Sequence, residues 1–339
     1  MKPWHVRAVR AADLGRLADW LPPGAALDLP GDEAGEHWLL AQGMPGADGA
    51  ELLDPNTPAS CDAVPVACLR LRRAIGLDRL RHWYHVGCVV HAASALKLFH
   101  RQHTLLLGND HTGASELADL ACDTAALTLA EQADVLRRLV QAALLLIARE
   151  RELYSSQLIV ELPGLQDTTG QSPFWEGLGR HFYNGDPQQA ARQFGPAWRT
   201  HVAALLPRQP VYTSFLPSAA QEAIAQARPA ARVLMDTLAL EGLRYGHHVT
   251  IDDAGPVYEA RIDTLRSVLG AQRRVLACVA DHTTVTRTQS WLLAADGGVD
   301  VRTVRGYADR QMLHVVADDV GGQPGLDEGA AVWAVALGD

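Results

Sequence analysis

The chain has 339 residues, 48% of them hydrophobic and 20% charged, which suffices to bury the core of one large domain or of two domains. Thirty basic residues against 39 acidic ones give a net charge of −9. This balance argues against sequence-independent nucleic-acid binding, which depends on neutralising phosphates with Lys and Arg. The most apolar stretch, 139–148, is shorter than the ~18 apolar residues of a membrane-spanning helix. We therefore expect a globular protein without a nucleic-acid or membrane partner.

The five cysteines are scattered and form no C-x-x-C pair. Free thiols in apolar segments are common in reducing compartments, and no spacing typical of structural zinc is present. The N-terminal segment has no apolar region of the kind found in signal peptides. These features predict a cytoplasmic protein without a structural zinc site.

Hydrophobic periodicity predicts a strand followed at once by a helix at the N-terminus, the opening of many α/β domains. Thr128 and Glu131 have the spacing of a capping box, and Ser172 with Pro173 is typical of a second helix start. The predicted elements before residue 200 are a strand at 4–10, a helix at 11–21, strands at 37–42, 64–75 and 83–92, two strands flanking a turn at 109–113, a helix at 127–150, a strand at 157–164 and a helix at 172–183.

The C-terminal part of the chain changes from helices to short strands. Helices at 218–228 and 229–241 precede a strand pair that is interrupted at 254–256. From residue 273 onward, apolar segments separated by Gly and Asp turns are typical of a small β-subdomain. We therefore predict an α/β (α+β) protein with a main domain at 1–270 and a β-subdomain at 271–339. The order of its elements is a poor match to a doubly wound fold.

The turn at 109–113 is the richest cluster of ionisable groups. Asp110, His111 and Glu116 crowd one connection between two predicted buried strands, and such loops often carry catalytic or binding groups. Each residue has two interpretations. Asp110 either caps the turn or binds substrate, and His111 is either a hydrogen-bonding turn residue or a catalytic group. Glu116 either supports the structure or meets a cationic substrate.

Longer blocks around this turn resemble one family. The blocks include TLLLGNDHTGASEL at 104–117, GQSPFWEGLGRHF at 170–182 and DAGPVYEARID at 253–263, in the order found in bacterial arginine N-succinyltransferases. The resemblance implies the acetyltransferase-like fold of acyl-CoA N-acyltransferases. It also implies an enzyme of arginine catabolism that transfers succinyl from succinyl-CoA, a co-substrate rather than a permanently bound cofactor, to the α-amino group of arginine or of ornithine.

The resemblance also assigns individual residues. Leu120 matches the succinyl-CoA position of the family, which makes 115–122 the splayed strand beside the pantetheine arm. Arg228 stands where members usually carry a histidine proton donor before a proline. Because arginine stays protonated at neutral pH, Arg228 is expected only to hold a thiolate or a carboxylate. His111 and Tyr183 are then the candidate acids.

Other features depart from the family or stay ambiguous. The segment after the splayed strand contains no glycine for cradling a pyrophosphate, and Glu131 opposes an anion at the helix N-terminus. Arg180 is either a surface residue or a ligand for a substrate carboxylate. His247 and His248 are adjacent on a predicted strand and point to opposite faces, so we predict no metal site from them.

Three functions follow from these observations. The first is an arginine N-succinyltransferase, and the second is a diverged, weakly active or non-catalytic subunit that pairs with an active paralogue. The third is an N-acyltransferase for another amine. We expect a homo- or hetero-oligomer that binds small-molecule substrates.

Overall fold

The computed structural model describes residues 4–22, 24–27, 29, 35–43, 64–279, 289–320 and 325–338. Within them, fifteen strands form one mixed sheet, accompanied by nine α-helices. The strands are β1 Trp4–Ala8, β2 Glu36–Gly43, β3 Pro65–Arg72, β4 Trp83–Ala93, β5 Leu98–Gly108, β6 Ser115–Cys122, β7 Gln157–Glu161, β8 Val211–Tyr212, β9 Arg244–Thr250, β10 Pro256–Arg261, β11 Gln272–Val279, β12 Gln289–Ala295, β13 Asp300–Asp309, β14 Met312–Val316 and β15 Ala331–Ala336. The helices are α1 Leu14–Trp20, α2 Leu129–Arg149, α3 Pro173–Gly177, α4 Pro187–Phe194, α5 Ala197–Ala203, α6 Ser218–Ala223, α7 Arg232–Glu241, α8 Arg266–Gly270 and α9 Ala317–Val320.

The sheet runs in the order β12-β15-β11-β14-β13-β1-β2-β3-β6-β7-β10-β9-β4-β5-β8. Because β12 also pairs with β13, the last five strands in the sequence close into a small barrel. The barrel joins the remainder of the sheet where β13 pairs with β1. The short strands predicted from residue 273 onward are therefore confirmed, as is the mixed helix and strand content.

The long helix α2 covers one face of the sheet. Its predicted capping box is confirmed, since Thr128 Oγ1 accepts a hydrogen bond from the Glu131 N–H at 3.4 Å and the Glu131 carboxylate accepts one from the Thr128 N–H at 2.9 Å. The buried face of α2 packs on Leu69, Leu117 and Leu158 from three neighbouring strands. Each fully buried aliphatic side chain of this size contributes about 1.5–3 kcal/mol, so this core holds α2 on the sheet.

Two predicted helices are shorter in the structure. The helix predicted at 172–183 ends at Gly177, and a 3₁₀ turn follows at Gly179–His181. A Cβ on Gly179 would lie 2.2 Å from the Trp175 ring, so glycine permits this close approach. The helix predicted at 218–228 ends at Ala223, because Ala225 has a left-handed φ of 60° and donates to the Ala254 carbonyl.

The turn predicted at 109–113 does not join neighbouring strands. Four strands, β7, β10, β9 and β4, lie between β6 and β5 in the sheet. Residues 109–114, called here the crossing segment, therefore cross from one side of these four strands to the other. None of the helices in the described part of the chain is long and apolar enough to cross a membrane.

Candidate functional site

The candidate site lies on the sheet face that is turned away from α2. Leu158 and Val160 belong to the core beneath α2, so the alternating residues Ile159 and Glu161 point to the opposite face. Residues that pair directly across strands share a face. By this rule the opposite face carries Glu116, Glu161, Val257, Glu259, His248, His85 and Trp83.

His111 of the crossing segment lies on this polar face and is 2% exposed. Its ring meets the Trp83 ring edge-on at 5.0 Å and the His248 ring at 4.4 Å. Its Nδ1 lies 3.7 Å from Glu259 Oε2. Burial and the neighbouring His248 lower the pKa of His111 to about 4, so the ring is neutral at pH 7.

His248 links this buried ring to the surface. Its Nδ1 contacts the Gly246 carbonyl at 2.9 Å, and its Nε2 lies 3.4 Å from Asp110 Oδ2. The side chain of Asp110 is 60% exposed, which makes it the part of the cluster that solvent reaches most easily. The adjacent His247 instead lies beside the Tyr245 ring at 5.2 Å.

Glu116 occupies the centre of a buried ion-pair network and is 1% exposed. Arg81 donates two hydrogen bonds to its carboxylate at 2.8 Å, and Arg72 donates one at 2.7 Å. Burial disfavours the charged carboxylate, but the two guanidinium groups outweigh burial and lower the pKa of Glu116 to about 2. The carboxylate is therefore ionised and already bound by two cations.

The same network continues across β7. Glu161 accepts hydrogen bonds from Arg81 at 2.6 Å, from the Trp83 indole at 2.7 Å and from Arg199 at 2.9 Å. Arg199 also binds Asp252 at 2.8 Å. A chain of ion pairs therefore connects five parts of the fold beneath the crossing segment: the loop before β4, the strands β6 and β7, helix α5 and the β9–β10 turn.

A gap opens beside this network between β6 and β7. These parallel neighbours pair only through Ser115 and Glu116 of β6, and within the described residues no pairing joins the two strands beyond that point. On its other edge β6 stays bonded to β3 through Cys122. The segment from residue 117 to 122 thus has one bonded edge and one edge that faces the gap.

A bulge accompanies the separation of the two strands. Asp119 has a left-handed φ of 52°, and the register between β3 and β6 shifts at this level. Arg70 Nε lies 3.1 Å from the Asp119 carboxylate, which helps to hold this backbone conformation. Leu120 follows the bulge and is half-buried against the core beneath α2.

The N-terminus of α2 lies directly after the segment that borders the gap. Asp123 Oδ1 accepts from the N–H groups of Ala125 and Ala126 at 3.1 and 3.0 Å. The N–H groups of Thr128 and Glu131 are bound by the capping box. Side chains of the chain itself therefore bind several of the backbone donors around this helix end, where an anion would otherwise bind.

Three further residues singled out from the sequence lie elsewhere. Arg228 is beyond the end of β7, where its N–H donates to the Pro163 carbonyl at 2.9 Å. Arg180 is 56% exposed and pairs with Glu176 one helical turn earlier. The ring of Tyr183 lies edge-on to Trp175. Arg180 and Tyr183 are not among the ring or ion-pair neighbours of His111 in the described part of the chain.

Sequence reasoning missed several residues that build the site. Arg81 lies in an irregular segment and carries no local signal. Alternation along each strand places Glu161 and Glu259 on a strand face. It does not show that their two strands become neighbours, because the residues are 98 positions apart in the sequence. The adjacency of His247 and His248 predicts that the two side chains point to opposite faces, which still leaves His248 able to join a cluster.

Comparison with known proteins identifies relatives for most of this region. The family described as "Arginine N-succinyltransferase beta subunit" matches residues 63–267. An arginine N-succinyltransferase of Shigella boydii serotype 18 is 35% identical over 195 residues, which cover 58% of this chain and 56% of the relative. The arginine N-succinyltransferase subunit beta of Pseudomonas aeruginosa is 37% identical over 206 residues, covering 60% and 59% of the two chains. The match thus spans somewhat more than half the length of these curated relatives.

A solved structure shares the fold over the whole chain. The arginine/ornithine succinyltransferase subunit AI from Pseudomonas aeruginosa superimposes with a TM-score of 0.76, covering 100% of both chains. The two sequences are 23% identical in this alignment. The likeness therefore establishes a common fold.

Proposed function

The chain belongs to the arginine N-succinyltransferase beta-subunit family, and on this basis we propose that it transfers a succinyl group from succinyl-CoA to the α-amino group of arginine. Relatives that carry this name match the chain at 35–37% identity. Ornithine is the alternative acceptor, since the structural relative is described as an arginine/ornithine succinyltransferase. Succinyl-CoA is a co-substrate in this proposal, and no permanently bound cofactor takes part in the transfer.

The gap between β6 and β7 is the observation that carries this proposal. In the acetyltransferase-like fold of acyl-CoA N-acyltransferases, two parallel strands separate in this way and the pantetheine arm lies along the open edge. The edge of β6 around Leu120 offers backbone groups to that arm. Backbone N–H groups aimed at the thioester carbonyl stabilise the oxyanion that forms on attack.

The polar face beside the gap is the proposed acceptor side. Asp110 presents an exposed carboxylate to a cationic amino acid. The two guanidinium partners of Glu116 favour a supporting role for that residue, with direct substrate binding requiring the network to open. In this proposal His111 acts from beneath the surface, through its contact with His248.

The proposed reaction needs little acid catalysis. The neutral α-amino group attacks the thioester carbonyl, the new C–N bond forms, the C–S bond breaks and the proton of the amine passes to solvent. The departing thiol has an ordinary pKa of about 8.5, so it leaves readily as a thiolate. Arg228 lies just beyond the end of β7, where a guanidinium would stabilise this thiolate or hold the succinyl carboxylate. Arg180 is the second candidate for that carboxylate.

The direct test incubates purified protein with succinyl-CoA and arginine while free thiol is followed by absorbance. We expect thiol release that depends on arginine, with ornithine assayed in parallel. Thiol that never exceeds the hydrolysis background, even at high substrate concentration, would contradict the proposal.

Arg228 variants test the assignment of the charged group at the end of β7. Arg228→Ala should lower kcat by about 10²–10³-fold, as loss of a transition-state donor does, and Arg228→Lys should retain part of the activity. The matched control is Arg232→Ala, whose side chain is 77% exposed one helical turn further on. If Arg228→His exceeds the native activity strongly, the position is that of a proton donor from which this chain has drifted.

A second candidate function is a diverged, non-catalytic subunit that pairs with an active paralogue. The occupied donors at the N-terminus of α2 favour it, because they reduce the sites left for CoA phosphates. Absence of any thermal shift with CoA would support this function over the first. A shift with CoA together with turnover of another amine would support the third function, an N-acyltransferase of different specificity.

Association with other subunits is also part of the proposal. Within the part of the chain that the structure describes, residues 88–103 of β4 and β5, called here the arm, pair only with each other. A two-stranded hairpin is marginally stable alone in water, so we propose that the arm packs on another subunit. A cytoplasmic location is likewise proposed, in agreement with the free thiols of Cys68 and Cys122.

A further inference from the structure

Beneath the crossing segment, three side chains converge that are common metal ligands. One ring nitrogen each of His111 and His248 and one carboxylate oxygen of Glu259 lie within 4.8 Å of one another. Of these atoms, His111 Nδ1 and Glu259 Oε2 lie 3.7 Å apart. Ligand atoms at ~2.0 Å from a tetrahedral ion are about 3.3 Å apart, so a small contraction would close this group around an ion.

Three of the four ring nitrogens in this cluster lack a hydrogen-bond partner in the described part of the chain. Among the described residues, neither nitrogen of the 2% exposed His111 has one, and His248 Nε2 is also buried without one. Buried polar groups are nearly always hydrogen-bonded, because leaving them unpaired is costly. Two facing imidazoles with buried, unpaired nitrogens have the arrangement expected of ligands that surround an ion.

The surroundings of His248 and Glu259 resemble the outer shell of a metal site. His248 Nδ1 donates to the Gly246 carbonyl at 2.9 Å, which fixes the tautomer whose Nε2 lone pair points into the cluster. Gln157 donates to Glu259 Oε2 at 2.8 Å and orients the carboxylate. A Cβ on Gly246 would lie 2.2 Å from the Glu259 carboxyl carbon, so glycine leaves room for this ligand.

Charge and access also suit a cation. Asp110 Oδ2 lies 3.4 Å from His248 Nε2, and the exposed Asp110 carboxylate marks a path by which a cation would enter. The nearby cation Arg81 is already paired with Glu116 and Glu161. Two carboxylates at the cluster therefore balance the charge of a divalent ion.

From this arrangement we infer that the chain binds one divalent transition-metal ion of the zinc type through His111, His248 and Glu259. Two imidazoles and one carboxylate favour Zn²⁺, Co²⁺ or Ni²⁺ over Mg²⁺ and Ca²⁺, which prefer oxygen ligands. The ion joins the crossing segment to β9 and β10. The site departs from the sequence expectation of no metal, and it does not depend on the acyl transfer proposed above.

Titration of the metal-free, full-length protein with Co²⁺ and Zn²⁺ tests this inference. We expect one Co²⁺ per chain with visible d–d absorption, displaced by Zn²⁺ and unaffected by Mg²⁺. His248→Asn and Glu259→Gln should each weaken binding at least 10²-fold. His247→Asn is the matched control, because it alters the adjacent histidine, which lies beside Tyr245, and Asn tolerates its φ of 61°.

The outcomes separate a built site from surface binding. If the native protein binds no Co²⁺ stoichiometrically, or if His248→Asn and His247→Asn bind it equally, the inference is wrong. Circular dichroism verifies that each variant is folded. Should His248→Asn be unfolded, Glu259→Gln decides, since retained 1:1 binding in that variant overturns the site and loss supports it.

Discussion

Ion pairs with two arginines hold the Glu116 carboxylate in place. Its carboxylate receives three hydrogen bonds from Arg72 and Arg81 and has almost no contact with solvent. A buried ion pair of this kind adds little net stability compared with apolar packing, but removing one partner leaves an uncompensated charge. The network therefore fixes the geometry of the polar face and is sensitive to any single substitution.

The pKa of Glu116 makes this network dependent on pH. Its folded-state pKa of about 2 lies below the ordinary value of 4.5, so its contribution is complete above pH 4.5 and is lost as the pH falls towards 2. Glu116→Gln should lower the free energy of unfolding by about 3–5 kcal/mol at pH 7, and the difference from the native protein should shrink in acid.

Urea unfolding at pH 7, 5 and 3.5 measures this difference. Glu222→Gln, an exposed carboxylate on α6, is the control and should follow the native curve. A Glu116→Gln deficit that stays constant from pH 7 to pH 3.5 would show that the carboxylate is not ionised by its arginine partners.

Individual contacts were predictable where they are local in sequence. Thr128 and Glu131 are three residues apart, so the geometry of one helical turn is sufficient to predict their contact. Arg81 and Glu161 are 80 residues apart, and His111 and Glu259 are 148 apart. Their contacts depend on strand order, which residue spacing alone does not determine.

At the level of elements, the N-terminus of α2 is the helix end at which the phosphates of the proposed CoA substrate are expected to lie. Glu131 places a negative charge in the first turn of the helix, where the helix dipole would otherwise favour an anion. Glu131→Gln keeps the capping geometry and removes the charge. We expect the KM for succinyl-CoA to fall about two- to fivefold, from an electrostatic effect of about 0.3–1 kcal/mol.

The effect should be larger at low ionic strength because salt screens such interactions. Glu328→Gln, an exposed residue in the loop before β15, is the matched control. An unchanged KM at low salt would place the CoA phosphates away from this helix end.

The arm is the second element with a testable role. Leu96 is 73% exposed and Phe99 is 66% exposed near its tip, and exposed apolar clusters of this kind mark contact surfaces. Leu96→Asp combined with Phe99→Asp should convert the assembly to a smaller species in light scattering coupled to size exclusion. Leu269→Asp changes an equally exposed residue on α8 and should leave the mass unchanged. A native protein that is already monomeric would rule out this role.

The sequence predicts the individual helices and strands better than it predicts which strands lie side by side in the sheet. Periodicity predicted α2 and β4 because hydrophobic spacing reports which face is buried. It predicted the crossing segment as a simple turn, since nothing in the spacing around Gly108 shows that β5 and β6 lie four strands apart. The interrupted helix after α3 depends on one glycine fitting against Trp175, a tertiary contact that periodicity does not detect.

For the whole molecule, the barrel and the main sheet share a core. Leu292 of β12 and Val335 of β15 are buried with the side chains beneath α2, and β13 pairs with β1. Inside the barrel, Leu313 belongs to a separate cluster. The predicted boundary at residue 270 lies just before β11, the first strand of the barrel. The core beneath α2, however, contains side chains from both sides of this boundary.

This shared core predicts one cooperative unfolding transition. Leu292→Ala and Leu313→Ala should each cost about 2–5 kcal/mol, and both should lower the midpoint of the same calorimetric peak. Two peaks, with Leu313→Ala shifting only one of them, would instead establish 271–339 as an independently folding unit.

The two ends of the sheet are protected from aggregation in different ways. At one end the barrel strands bond to each other in a ring and offer no edge among the described strands. At the other end β8 pairs with only Thr104 and Leu105 of β5, and so short an edge strand is a poor template for adding foreign strands. The unpaired edges of the arm are then the exposed places near this end where a foreign strand could add, and a subunit packed there would also protect the protein from fibril growth.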